Sequence, residues 1–183
     1  MRTTTSILTT VLFFPGSWLP ASSADEAPQR VNVDNFRRAE TDNYFARFAK
    51  DGGFGRLAHE RALADIDHQA VIRLNRDTLY SFGVFDLDAG PITITLPDTG
   101  KRFMSLQVIS EDHYAVDVFY APGTHTVTKE NVGTRYVCLA VRTFVDPNNP
   151  DDLQAAHKLQ DAIKVAQQGA GKLVLPDWDQ ASL

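Results

Sequence analysis

The sequence predicts an α+β, mainly β fold: an antiparallel β-sandwich or open barrel with an N-terminal helix and a C-terminal helix. Three observations carry this. Between Leu79 and Phe144, short runs of alternating apolar residues recur. Short turns rich in Gly, Pro, Asp and Asn separate them, which joins successive strands antiparallel. Before and after this block lie segments whose apolar residues recur at helical spacing.

The first helix is expected over 34–50. Asn32 or Asp34 caps it, and Gly52-Gly53 ends it. Phe36, Glu40, Tyr44, Phe45 and Phe48 form its predicted core face. Residues 54–69 read as a solvated loop or short helix. Strands follow at 79–87, 91–97 and 102–110. Ile92, Ile94 and Leu96 share one face, and Met104, Leu106 and Val108 share another. Tyr114, Val116, Val118 and Tyr120 mark a fourth strand, and 124–128 a short Thr-rich one. The strand at 135–144 is apolar on both faces: Val137, Leu139 and Val141 on one, Tyr136, Cys138 and Ala140 on the other. That places it near the middle of a layered structure. Asn148-Asn149-Pro150 then starts a helix with Asp151 and Asp152 in its first turn. Leu153, Ala156, Leu159, Ile163 and Ala166 form its buried side, and Gly169 stops it.

Residues 1–24 read as a secretory signal peptide. Arg2 gives the positive start, 7–14 is mostly apolar, and Ser22-Ser23-Ala24 supplies small residues at the cut. The apolar run is shorter than the roughly 20 residues a spanning helix needs. Export to the periplasm or to the medium is therefore expected, with no membrane span after cleavage. Residues 25–33 form a linker, and 34–169 a single β-rich domain. The tail at 170–183 is extended and ends in what reads as the cap and first turn of a connecting helix. Cleavage after Ala24 leaves 159 residues with 17 Lys+Arg against 23 Asp+Glu, a formal charge of −6. A mildly acidic chain without a basic stripe argues against nucleic acid as a partner. The single cysteine, Cys138, excludes an internal disulfide and reads as an inert buried thiol.

No dinucleotide fingerprint, Walker loop or Gly-x-Ser-x-Gly elbow is present. No cofactor is expected. His59, Glu60, Asp65, Asp67 and His68 look metal-friendly, but Leu63 stands where a zinc protease helix places its second histidine. No metal is expected either. Two polar clusters remain. Asn75, Arg76 and Asp77 precede the first strand, and Tyr80 lies at its start. Asn75, Arg76 and Tyr80 are candidate ligand-binding residues, with Asp77 orienting the planar fork of Arg76. Turn chemistry alone accounts for Asn75, Asp77 and Thr78, and accounts less well for Arg76. The second cluster is Glu111-Asp112-His113-Tyr114. Asp112 and His113 form a candidate acid–base pair, with Asp77 a further catalytic candidate. An ordinary polar turn is the simpler reading there.

Three blocks in order carry a family resemblance: Leu74-Asn75-Arg76-Asp77-Thr78-Leu79-Tyr80-Ser81, then Asp86-Leu87-Asp88-Ala89-Gly90-Pro91, then Pro97-Asp98-Thr99-Gly100-Lys101-Arg102-Phe103. The run from Val31 to Pro150 resembles the bacterial family catalogued as domain of unknown function 1254. The resemblance implies a β-rich domain, often exported. It also implies a companion, the jelly-roll-like domain of unknown function 1214, which is missing from this sequence. A second β domain or self-association is the expected partner for the tail residues Leu173, Val174, Leu175 and Trp178. Two function classes follow. One is a non-catalytic or incomplete ligand-binding or structural module that packs on a second β domain. The other is a small-molecule hydrolase with a polar site around Arg76, Asp77 and His113.

Overall fold

A computed structural model describes residues 27–67 and 73–183. The expected signal segment, its expected cut site and His68 lie outside the described residues. The elements run α1 (Phe36–Lys50), β1 (Ala58–His59), β2 (Thr78–Asp86), β3 (Ile92–Leu96), β4 (Met104–Ser110), β5 (Ala115–Tyr120), β6 (Gly123–Val127), α2 (Lys129–Val132), β7 (Tyr136–Phe144), α3 (Pro150–Asp161) and β8 (Lys164–Gln167).

The mainly β expectation holds. The strands form two antiparallel sheets, ordered β1-β2-β7-β4-β5 and β6-β3-β8, and neither closes into a barrel. Strand β7 lies at the centre of the larger sheet, with two apolar faces to bury. Its Val137, Leu139 and Val141 join Phe85, Leu106 and Val108 against Ile92, Ile94, Leu96 and Val127 of the smaller sheet. That contact is the sandwich core. The other face of β7 supplies Tyr136 and Cys138, which pack with Val84 beneath Phe45 of α1. Cys138 is buried, and burial pushes its thiol up to about 12. It is inert, as its mid-strand position suggests.

Four expectations need correction. The buried stripe of α1 is Ala39, Thr41, Asp42 and Phe45, while Phe36 is exposed. The helix is rotated from the aromatic stripe because Trp178 of the tail packs beside Ala39. Its N-cap is Asn35, without a side-chain cap bond. The segment after α1 is not a free loop: Phe54 bridges Val84, and Ala58 and His59 pair with Phe82 and Ser81 of β2. Gly83 makes this approach possible, since a Cβ there would meet the Arg56 carbonyl at 2.5 Å. Helix α3 stops at Asp161, and Lys164–Gln167 turns into a strand on β3. An unpaired sheet edge with buried Ile94 outcompetes local helix propensity there. Lastly, the tail is largely covered. Trp178 is 8% exposed, Leu173 and Leu175 pack on the α1 face, and only Val174 is strongly exposed at 64%. The cap at Asp179 is present: its carboxylate accepts from Ala181 N.

Candidate functional site

Side chains alternate along strands, so the face of the large sheet turned away from the sandwich core follows from register. Tyr80 of β2 lies opposite Arg142 of β7, and Phe82 opposite Ala140. On the other side of β7, Gln107 of β4 lies opposite Ala140. Helix α1 crosses this face with Tyr44, Arg47 and Phe48. Between helix and sheet lies a cavity of about 240 Å³, with Tyr80, Phe82, Gln107 and Arg142 on its floor and Glu60 and Leu74 at its sides. Two further hollows share Phe48 and Phe82 with it. One reaches Thr41, His113 and Cys138, the other Asp51 and His59.

The floor is aromatic and ordered. Phe48 stacks on Phe82 at 4.5 Å between centroids, and Phe82 on Tyr80 at 5.4 Å, both nearly parallel. The Arg142 guanidinium lies 5.7 Å from the Tyr80 ring centre. The Tyr80 ring is buried, yet its hydroxyl has no hydrogen-bond partner among the described residues. The Gln107 amide and the Arg142 guanidinium likewise have no hydrogen bond or ion pair there. Arg47 lies over Tyr44 at 4.8 Å. Burial pushes the Glu60 carboxyl up, and the charge of Arg47 opposes that shift.

The sequence-level candidates separate. Tyr80 is on the cavity floor. Asn75 closes a tight turn, its side-chain oxygen accepting from Asp77 N at 2.6 Å. The Asp77 carbonyl accepts from Val145 N at 2.9 Å. Arg76 and Asp77 form no ion pair with each other, and Arg76 Nε is buried without a hydrogen-bond partner. Asp112 accepts from Arg38 Nη2 at 2.6 Å rather than from His113. Thr41 donates its hydroxyl to the Arg37 carbonyl, so at His113 Nδ1, 2.9 Å away, the Thr41 oxygen accepts. His113 sits in the β4–β5 turn with φ +63° and lines the neighbouring hollow. No hydrogen bond or ion pair joins Arg76, Asp77 and His113.

Other polar residues of the three blocks build structure. Asp86 accepts from Arg135 Nε at 3.0 Å, Arg135 Nη2 at 2.8 Å, Asp88 N at 3.0 Å and Lys172 N at 3.1 Å. The Arg135 bonds hold its carboxyl down to about 2. Gly171 lies against it, where a Cβ would fall 2.5 Å from Asp86 Oδ2. Arg102 grips Asp152 at the start of α3, and its bonds hold that carboxyl at about 2. His59 Nδ1 stands 2.7 Å from Ser81 Oγ, but Ser81 is fully buried and also bonded by Gln160. This pair is a structural lock, because no substrate reaches Ser81. Under α1, Asp42 accepts from Trp178 Nε1 at 2.9 Å, and burial pushes its carboxyl up to about 6.

Sequence reasoning missed Arg47, Glu60, Gln107 and Arg142. A signal for Arg142 existed: the alternation of β7 places a lone arginine on the face of Cys138 and Ala140. Arg47 and Glu60 carried none, because their meeting depends on how α1 crosses the sheet. No group of three or more His, Cys, Asp or Glu among the described residues is placed to hold a metal. No described helix is long and apolar enough to cross a membrane.

Residues 54–131 match the model of a family described as a protein of unknown function, DUF1254. Over this stretch the chain is similar to DUF1254. The matched part holds Glu60, Tyr80, Phe82 and Gln107. The DUF1254 match thus includes much of the cavity floor but neither Arg47 nor Arg142. The comparison with curated proteins gave no match. Among solved structures, the VPA0106 protein from Vibrio parahaemolyticus is similar, with TM-score 0.54 and 16% identity over 80% of this chain and 40% of that one. The likeness is one of fold, and the chain spans about two fifths of that protein's length.

Proposed function

We propose that this is an exported, non-catalytic module that binds a small molecule under α1 and packs against a second β-rich domain. The observation that supports binding is the trio of Tyr80 hydroxyl, Gln107 amide and Arg142 guanidinium, which face one cavity with no protein partner. Arg142 is exposed and Gln107 half-buried, so these groups are open to an incoming molecule, and a few polar groups converging on an apolar hollow suit a ligand. Support for docking comes from β5. It is an edge strand, and Val118 and Tyr120 lie on the Gln107 side of the sheet at 42% and 62% exposure. Phe103 packs edge-on to Tyr120, and Phe144 is exposed too. An exposed apolar edge of this kind calls for a cover. The export half rests on the signal pattern of residues 1–24. The hydrolase alternative gains no support, because Asp112 is held by Arg38 and Ser81 is out of reach.

An NMR screen of aromatic fragments against the full chain tests binding. The expected result is fragment-induced shifts at Tyr80, Phe82 and Gln107, lost in Phe48→Ala. A screen in which no fragment shifts these signals removes the binding reading. Sedimentation of wild type and a Val118→Lys, Tyr120→Lys double variant tests docking. The wild type is expected to self-associate through the uncovered edge, and the variant to be monomeric. A wild-type monomer that binds no hydrophobic dye removes it.

A further inference from the structure

We propose that the cavity takes a flat aromatic carboxylate and that Arg142 is the residue that recognises its anionic group. This rests on the ligand-binding reading above and names the ligand class.

Shape points to a planar ring. The floor is a ladder of near-parallel rings, Phe48, Phe82 and Tyr80, with interplanar angles of 6° and 8°. A flat guest meets such a wall by offset stacking or by its edge, both favourable for aromatic pairs. A cavity of about 240 Å³ is smaller than the roughly 300–1,000 Å³ typical of drug-sized ligands. It suits one or two rings.

Charge points to a carboxylate at one end. Arg38, Arg61, Arg102 and Arg135 each grip a carboxylate of this chain. Arg142 grips none, although it stands beside a buried ring at the cavity. Its planar fork matches a carboxylate through two parallel hydrogen bonds. The Tyr80 hydroxyl and the Gln107 amide supply further donors nearby. Arg47, the other cation at the cavity, comes from the helix and lies over the Tyr44 ring at 4.8 Å and the Phe48 ring at 5.8 Å. On the sheet side of the cavity, the cation beside Tyr80 and Gln107 is Arg142.

Two other clusters carry less. In the His59–Ser81 pair only His59 borders the neighbouring hollow, while Ser81 is fully buried and held by Gln160, and the Asp42 carboxyl is already held by Trp178.

The test is calorimetric titration of the full chain with two pairs of probes: benzoate against benzyl alcohol, and 2-naphthoate against 2-naphthylmethanol. The acid of at least one pair is expected to bind about tenfold or more tighter than its alcohol. Arg142→Gln should remove that preference, bringing the acid to the affinity of its alcohol, and Arg142→Lys should keep part of it. NMR shifts at Phe82 and Gln107 must accompany acid binding. Arg142 has no hydrogen bond or ion pair among the described residues, only its contact with the Tyr80 ring, so the variants should melt close to wild type. Acid and alcohol binding equally, with Arg142→Gln silent, overturns the carboxylate assignment and leaves the cavity a neutral site. Acid binding without shifts at Phe82 and Gln107 overturns the location. No binding of any probe overturns both this inference and the ligand-binding reading.

Discussion

Two arginines of one strand region have opposite circumstances. Arg135 stands just before β7 and is held by Asp86 at 2.8 Å and Asp88 at 3.3 Å, with its guanidinium over Tyr136. Arg142 stands near the other end of β7, over Tyr80, with no carboxylate bound to it among the described residues. The β2–β7 register puts Asp86 opposite Tyr136 and Tyr80 opposite Arg142. So the same pair of strands is saturated at one end and open at the other. The saturated end ties in the tail through Lys172, which bonds both Asp86 and the Tyr136 hydroxyl. The open end borders the cavity. A cation whose charge is answered within the fold serves stability. A cation left unanswered beside a cavity is available to something else.

The largest effect is expected at the saturated end. Asp86→Ala should destabilise by about 3 kcal/mol in urea unfolding, because it leaves Arg135 and two backbone N–H groups without their acceptor. Arg135→Ala should cost less, since Arg135 is partly exposed, and the double variant should cost less than the sum. Arg142→Ala should change stability by no more than about 0.5 kcal/mol. A loss at Arg142 as large as that at Asp86 would erase the contrast between the two ends.

Next comes the pH profile. The Asp86 and Asp152 carboxyls are held down to about 2 from an ordinary value of 3.8. Their contribution is fully present above about pH 4 and is lost as pH falls towards 2. Asp42 acts in the opposite sense. Burial raises it to about 6, so the folded state holds a proton that the unfolded state releases. Stability from this group rises as pH falls from about 6 to about 4. Urea midpoints between pH 2 and 8 should therefore peak near pH 4. Asp42→Asn keeps an acceptor for Trp178 and should flatten the upper arm, while Asp86→Ala flattens the lower. An upper arm unchanged in Asp42→Asn would place the titration on another group.

The smallest effects are expected before β2. Asn75→Ala should cost about 1 kcal/mol, the value of the turn bond to Asp77 N. Asp77→Ala and Arg76→Ala should each stay within about 0.5 kcal/mol, because they do not pair with each other. A coupled loss in the Arg76/Asp77 double variant, read from the same melts, would restore the oriented-arginine reading.

Much of the fold was legible in the residues. Period-two alternation located β3, β4 and β7, and the two apolar faces of β7 placed it centrally. These signals are local, and each reports a face that must be buried. The site was legible only in part. Tyr80 was singled out, but its companions Asn75, Arg76 and Asp77 were grouped with it because they are adjacent in sequence. Adjacent residues diverge where a turn becomes a strand, so Asn75 closes the turn while Tyr80 points into the cavity. Asp112 and His113 were paired on the same ground, and the turn sends them to different partners.

By itself the sequence determined the strand faces, the burial of Cys138, the turn at Asn75 and the acidic charge, because each follows from side-chain alternation, local hydrogen bonding or composition. Tertiary structure decided which arginine is answered and which is not. Asp86 meets Arg135 across 49 residues, Arg47 and Glu60 come to line one cavity only after α1 crosses the sheet, and Tyr80 meets Arg142 only after β2 pairs with β7. It also decided that 164–167 is a strand, since the edge of β3 offers hydrogen bonds that no local propensity records. Electrostatic partners and sheet edges are properties of distance in space, and a sequence lists only distance along the chain.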